Sequence, residues 1–221
     1  MLREQIDQHG CAMVEAVLAA TEVQALGSQL EAGGGKPGQR ERLVEPWCAE
    51  LTARLRRHPA LAPVLTPDLV ALQCICFEKS ADLNWLVAVH QDLSFPVVGQ
   101  TNHPDWKAWS RKDGTQYVQP PVQVLEQLLA VRVHLDACGP DDGALSVVPG
   151  SHLQGVITPD EAIRLRAGDQ SCPATPGDAF LMRPLLLHRS SKALGSSRRR
   201  VLHYVFGPRA LPDGMAWLHA A

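Results

Sequence analysis

From about residue 70 onward the chain is a succession of short apolar segments, each of strand length and most closed by a turn signal. This rhythm constrains the fold more than any other feature. LVALQCICFE (69–78) is the first segment, and Asn84 to Ser94 is a second. LLAVRVHLDAC (128–138) runs into the turn signal Asp141-Asp142-Gly143, and ALSVVPGS (144–151) reads as its hairpin partner. Gly177-Asp178 precedes AFLMRPLLLH (179–188), and RRRVLHYVF (198–206) is the last strong strand. Sheets built from so many short strands have to bury their apolar faces against each other or close on themselves.

The first third of the chain reads differently. CAMVEAVL (11–18) is a short strand. Thr21 is expected to cap a helix over Glu22–Glu31, with Gln24 completing a capping box and Gly33-Gly34-Gly35 stopping it. A second helix is expected over Pro46–Arg57 and a third around Pro59–Leu65. Two helical interludes, 122–127 and 159–169, separate the later strands. Residues 95–121 form a long Pro- and Gly-rich connection carrying Trp106, Trp109, Tyr117 and Gln119, read as a binding wall. The expectation is one α+β, mainly β, domain over 1–221.

Composition narrows the partners. Lys plus Arg number 21 and Asp plus Glu 23, a net charge of −2, so there is no general attraction to nucleic acid or to an anionic membrane. The basic run Arg198-Arg199-Arg200 is too short for a nucleic-acid footprint. No stretch is long and apolar enough to span a bilayer, and MLREQIDQHG lacks the apolar region of a secretory leader. Six cysteines without a C-x-x-C point to reduced thiols and a cytoplasmic location. The expected partner is a small molecule.

Nine histidines raise the question of a metal. Residues i and i+2 of a strand share a face, so His-x-Asp aims an imidazole and a carboxylate at one point. One distant histidine then completes a facial triad that leaves half of an octahedral iron(II) open. The motif occurs three times: His90-Gln91-Asp92, His103-Pro104-Asp105 and His134-Leu135-Asp136. The middle copy contains proline in a turn-rich loop. Periodicity does not choose between the other two.

NWLVAVHQDLSF, VRVHLDACGPDDGALSVVPGSH, GDAFLMRPLLLHRSS and RRRVLHYVF stand in this order along the chain. Together they resemble the ordered motifs of the phytanoyl-CoA dioxygenase family, over most of residues 70–206. The resemblance implies a double-stranded β-helix, a jelly-roll or cupin-like barrel with N-terminal helices packed outside. It implies iron(II) held by His90, Asp92 and His188, with 2-oxoglutarate as cosubstrate and molecular oxygen as oxidant. It further implies that Arg199, eleven residues after His188, grips the far carboxylate of 2-oxoglutarate, with Ser190 assisting. Arg198 and Arg200 have the opposite parity and are expected to point outward. Arg132 falls where relatives line the cosubstrate pocket with an aromatic. Asn84 shares parity with His90 and is expected to face the pocket if the strand is regular. His134 and Asp136 are placed beside the metal or in the core, and Lys79 is read as a pocket cation or, in preference, as an exposed strand end. The implied activity is hydroxylation of a C–H bond of a small organic molecule, with release of succinate and carbon dioxide. No cationic cluster for a CoA diphosphate is evident.

Two other readings remain at this point: a cupin-like metalloenzyme that does not use 2-oxoglutarate, and a non-catalytic ligand-binding barrel. Neither needs an arginine at 199.

Overall fold

Fourteen strands and five helices follow one another in the computed structural model, which describes residues 1–31, 38–195 and 197–221. The strands are β1 (Cys11–Val14), β2 (Gly38–Gln39), β3 (Leu69–Lys79), β4 (Val87–His90), β5 (Phe95–Val98), β6 (Lys107–Lys112) and β7 (Thr115–Gln119). They continue with β8 (Leu129–His134), β9 (Leu145–Val147), β10 (Gln170–Cys172), β11 (Ala179–Met182), β12 (His188–Ser190), β13 (Arg199–Pro208) and β14 (Ala216–Trp217). The helices are α1 (Leu2–His9), α2 (Ala20–Glu31), α3 (Pro46–Arg57), α4 (Val122–Leu125) and α5 (Pro159–Leu165).

A six-stranded sheet has the order β1-β11-β8-β13-β3-β2, and a four-stranded sheet has the order β10-β9-β12-β4. These are the two walls of the expected double-stranded β-helix. The segment 144–151 is therefore not the hairpin partner of β8. It crosses to the second wall, where β9 pairs with β10 and β12. The sequence signal of a turn was sound, but a jelly roll uses such turns to change sheets.

Strand alternation assigns the two faces. On β8 and β13 the cross-strand pairs Val133–Leu202 and Val131–Tyr204 face outward. There they pack with Leu51 and Leu55 of α3 in one buried apolar cluster. The pairs His134–Val201, Arg132–His203 and Ala130–Val205 face the barrel interior. Ala130 and Val205 join Leu145, Val147 and Phe180 in a second apolar cluster.

Several expected elements change. α1 was not anticipated. Helix α2 starts at Ala20, before Thr21, and the Glu22 carboxylate accepts from the Ala19 N–H at 2.7 Å. Glu22 thus plays the part assigned to Gln24. Residues 59–65 are turns whose Leu61, Val64 and Leu65 are buried, because two prolines interrupt any helical ladder. The expected strand 179–188 is broken at Arg183-Pro184 into β11 and β12, one in each wall. Residues 95–121 are not structureless. They supply β5, β6 and β7, which with β14 form a third sheet, β14-β5-β7-β6. The glycine run 33–35 lies outside the described residues. Among those residues no helix is long and apolar enough to cross a membrane.

Leu55 is 1% exposed in the cluster that fastens α3 to the large sheet. Leu55→Ala should cost on the order of 2–5 kcal/mol in urea unfolding. Leu194→Ala, at a position 84% exposed, should change stability by less than about 0.5 kcal/mol.

Candidate active site

His90 ends β4 and His188 opens β12, and the two stand directly opposite each other in an antiparallel pair. Such pairs bring side chains on one face into contact, and the imidazole centroids are 4.2 Å apart. Asp92 follows two residues after His90. Its Oδ1 lies 3.6 Å from His90 Nε2 and its Oδ2 3.7 Å from His188 Nε2. The potential ligand atoms of His90, Asp92 and His188 all lie within 4.8 Å of one another, and they are the only such metal-ligating group of three among the described residues. His103 and Asp105 are surface neighbours, 3.9 Å apart.

Backbone carbonyls set the histidine tautomers. His90 Nδ1 is 2.9 Å from the Ala88 oxygen and His188 Nδ1 is 2.8 Å from the Leu186 oxygen. A carbonyl only accepts, so each Nδ1 donates and each Nε2 lone pair is turned toward Asp92. Gln91, between the two ligand candidates, is fully engaged by backbone. Its Nε2 donates to the carbonyls of Leu185 and Gly155, and its Oε1 accepts from the Ile157 N–H. This clamp was not read from the sequence, because a glutamine between two ligands looks like the outward-facing residue of a strand.

The triad opens onto a cavity of about 150 Å³ lined also by Arg132, Ser190, Arg199, Phe77 and Trp85. Arg199 Nη1 donates to the Gly143 carbonyl at 2.5 Å. Gly143 sits at φ +67°, and a Cβ there would lie 2.5 Å from the Ser191 carbonyl oxygen, so the turn that holds Arg199 tolerates only glycine. Arg132 Nη1 donates to His203 Nδ1 at 3.1 Å. The Nε of Arg132 and the Nε of Arg199 are buried without any hydrogen-bond partner.

Lys79 is not at an exposed strand end. It is fully buried, paired with Arg199 across β3 and β13, and donates to Ser190 Oγ at 2.6 Å and to the Ser191 carbonyl. The strand simply extends past the point where its apolar pattern stops. Asn84 does not line the cavity. Its amide exchanges two hydrogen bonds of 2.8 Å with the backbone of Ala193, because β4 begins only at Val87 and a register shift against β12 breaks the parity. Arg198 and Arg200 do point away from the cavity, but not into free solvent: Arg198 pairs with Glu78, and Arg200 with Asp136 at 2.8 Å and with the Gly27 carbonyl. Asp136 is thereby outside the barrel, and His134 is buried in the interior without lining the cavity. Trp106 is a packing residue held by Asp213. Parity along β13 from Arg199 would have found a residue that sequence reasoning passed over. His203 is buried, with its Nε2 3.5 Å from Asp92 Oδ2.

Burial resists charge on Asp92, but the imidazoles of His188, His90 and His203 outweigh it and hold the carboxyl well below its usual range. Burial pushes His188 down to about 4 and His203 down to about 3, so both rings are neutral at pH 7. Burial alone would lower His90, but Asp92 beside it outweighs this and raises the ring above its ordinary value. A metal takes its imidazoles neutral and its carboxylate ionised, so metal uptake would displace any proton that His90 shares with Asp92. Burial and then Arg199 push Lys79 down to about 8, and burial and Arg199 push Arg132 down to about 10. The region carries more positive charge than its one carboxylate balances.

Lys79 has a lower proton affinity in the fold than in the open chain, where the ordinary value is 10.5. Between about pH 8 and 10.5 the unfolded chain holds more protons, so this group's contribution to stability rises with pH. The difference in unfolding free energy between wild type and Lys79→Met should increase across that window in wild type's favour. A flat difference would show a lysine in ordinary contact with water.

The family model "Phytanoyl-CoA dioxygenase (PhyH)" matches residues 6–201. A curated relative, Dioxygenase cnsJ of Penicillium expansum, is 36% identical over 84 residues, which cover 37% of this chain and 24% of that protein. Among solved structures, HygX from Streptomyces hygroscopicus with nickel and 2-oxoglutarate bound has a TM-score of 0.64 at 21% identity, covering 94% of this chain and 87% of that one. The non-heme alpha ketoglutarate dependent carbocyclase SnoK from nogalamycin biosynthesis has a TM-score of 0.67 at 16% identity, covering 96% and 87%. The epimerase SnoN from the same biosynthesis has a TM-score of 0.66 at 18% identity, covering 99% and 92%. The match runs from α1 into β13 and takes in every residue of the triad, and the chain belongs to the phytanoyl-CoA dioxygenase family of 2-oxoglutarate-dependent oxygenases.

Proposed function

We propose that the protein hydroxylates a C–H bond of a small organic molecule, using iron(II) held by His90, Asp92 and His188 with 2-oxoglutarate as cosubstrate. One observation carries this reading: the inward-turned Nε2 atoms of the triad and the two unpartnered guanidinium Nε atoms belong to residues that line the same cavity. The donor set fits a divalent iron, with two imidazoles and one carboxylate on one side and no fourth protein ligand among the described residues. When bound, iron and 2-oxoglutarate supply oxidative decarboxylation by molecular oxygen, yielding succinate and carbon dioxide, and with it the power to attack a C–H bond.

The residues of the chain bind and orient. Arg199 and Arg132 each keep a buried N–H free for an anion, and Lys79 adds a third positive charge behind Ser190. Ser190 Oγ accepts from Lys79, so its own hydrogen is free to reach a carboxylate in the cavity. A dianion offsets this surplus, and a neutral ligand would not. Phe77 and Trp85 supply apolar cover that keeps water from these charges. HygX, which shares the fold, was crystallised with 2-oxoglutarate. The reading as a cupin-like enzyme without this cosubstrate leaves both arginines unexplained. Asp92 favours hydroxylation over halogenation, because a bound carboxylate leaves no ligand position for a halide. The carbocyclase and the epimerase on this fold are the alternatives that product analysis has to separate.

Anaerobic addition of 2-oxoglutarate to the iron(II)-loaded protein should give a weak visible charge-transfer band. His90→Ala, Asp92→Ala and His188→Ala should each lose the band and turnover while keeping the fold. If the bare wild-type protein takes up iron but shows no band, the cosubstrate assignment fails.

Arg199→Ala should raise the KM for 2-oxoglutarate roughly 30-fold or more, since losing a buried charge-assisted contact costs on the order of 2–5 kcal/mol. Arg198→Ala should leave it near the wild-type value. In chloride buffer, the product from the real substrate should carry added oxygen and no chlorine. Chlorinated product from the unmodified protein would remove Asp92 from the ligand set.

A further inference from the structure

His203 sits on the interior face of β13, and less than a twentieth of its surface is exposed. Its two ring nitrogens face different partners. Nδ1 lies 3.1 Å from Arg132 Nη1, and Nε2 lies 3.5 Å from Asp92 Oδ2. A guanidinium has only donors. Nδ1 of His203 must therefore accept, and the one proton of the neutral ring must be on Nε2, aimed at Asp92. His90 and His188 carry the opposite tautomer, because their Nδ1 atoms meet carbonyls. Three imidazoles thus surround one carboxylate, two presenting lone pairs and one presenting an N–H.

We infer that His203 is a positioning residue, held as a proton donor by Arg132, that engages Oδ2 of Asp92 and leaves Oδ1 alone to bind the metal. This rests on the metal reading above. His203 is not a fourth ligand, since its lone-pair nitrogen is taken by Arg132 and its position is outside the tight group formed by the triad. The Phe77 ring packs edge-on against it at 5.8 Å, which fixes the plane of the imidazole. The 3.5 Å contact is longer than a formed hydrogen bond. The bond is not closed in this structure; on this proposal it closes onto Oδ2 when a metal occupies Oδ1. A carboxylate oxygen that accepts an N–H is a poorer metal donor, so the contact would favour binding through Oδ1 alone. The same histidine also links Arg132, a wall of the anion pocket, to a metal ligand. Charge or displacement at Arg132 is thereby felt at Asp92 through a single ring.

Cobalt(II) serves as the probe, with no cosubstrate present. Dissociation constants and visible d–d spectra would be compared for wild type, His203→Leu and His203→Gln. Leucine removes the donor at similar volume, and glutamine returns an N–H close to the position of Nε2. His203→Leu should bind cobalt roughly 10- to 100-fold more weakly and shift the d–d bands, and His203→Gln should recover most of both. A residue that merely fills the core would change the melting temperature and leave the band positions unmoved. Equal affinity and spectra in wild type and His203→Leu would overturn the inference while leaving the metal reading intact. Failure of wild type itself to take up cobalt would overturn both. Long-range proton–nitrogen correlation on the metal-free wild-type protein gives a second, mutation-free test. It should show His203 with its proton on Nε2, and a proton on Nδ1 would refute the assignment.

Discussion

Strands β8 and β13 lie at the middle of the large sheet and have to face two environments at once. Their outward residues, Val131, Val133, Leu202 and Tyr204, bury apolar surface against the helices. Their inward residues include Arg132, His134, Arg199 and His203, none of them more than 6% exposed. Burying four such groups is expensive unless each finds compensation. The sheet can carry them only because the outward face supplies continuous hydrophobic contact at no polar cost. The two-residue period of the strand therefore separates stability from function within the same stretch of chain, and a shift of register by one residue would destroy both together.

The second wall answers the first. β12 and β4 bring His188 and His90 face to face, and the short step from His90 to Asp92 places a carboxylate opposite the arginines. Among the described residues, Arg132, Arg199 and Lys79 have no carboxylate of their own inside the barrel. Asp136 and Glu78, the nearby acids on the same strands, are spent on Arg200 and Arg198 at the outer side. The interior is thus built with uncompensated positive charge, and the depressed proton affinity of Lys79 is the direct sign of it. Such a site is preorganised for an anion at the expense of its own stability, as functional sites commonly are.

Much of this was legible in the sequence, and the reasons differ by feature. The choice of Arg199 came from the family resemblance, and alternation then turned Arg198 and Arg200 the other way. The convergence of Arg199 with His90 and Asp92 did not follow from alternation, because it depends on pairing between strands a hundred residues apart. Asn84 was misplaced since a register shift is invisible to a parity count. Lys79 was misplaced since a charged residue at the end of an apolar run ordinarily marks the surface. The turn at Asp141-Asp142-Gly143 was recognised, but whether a turn closes a hairpin or moves the chain to another sheet is settled by tertiary packing. His203 was overlooked for a simpler reason: RRRVLHYVF reads as apolar β core, and a histidine among valine, leucine and tyrosine draws attention only once Arg199 has fixed which parity faces inward.

The third sheet is made of different material. The sheet β14-β5-β7-β6 forms no strand ladder with either barrel wall. Trp217 Nε1 donates to the Pro208 carbonyl at the end of β13 at 2.8 Å, and Phe95, Val97, Trp106, Val118 and Trp217 join the inner apolar cluster with Val70, Leu72 and Val205. Its outer strand, β6, is largely exposed. Substitutions on β6 therefore disturb the barrel less than substitutions on β5, whose Phe95 and Val97 sit inside the shared cluster.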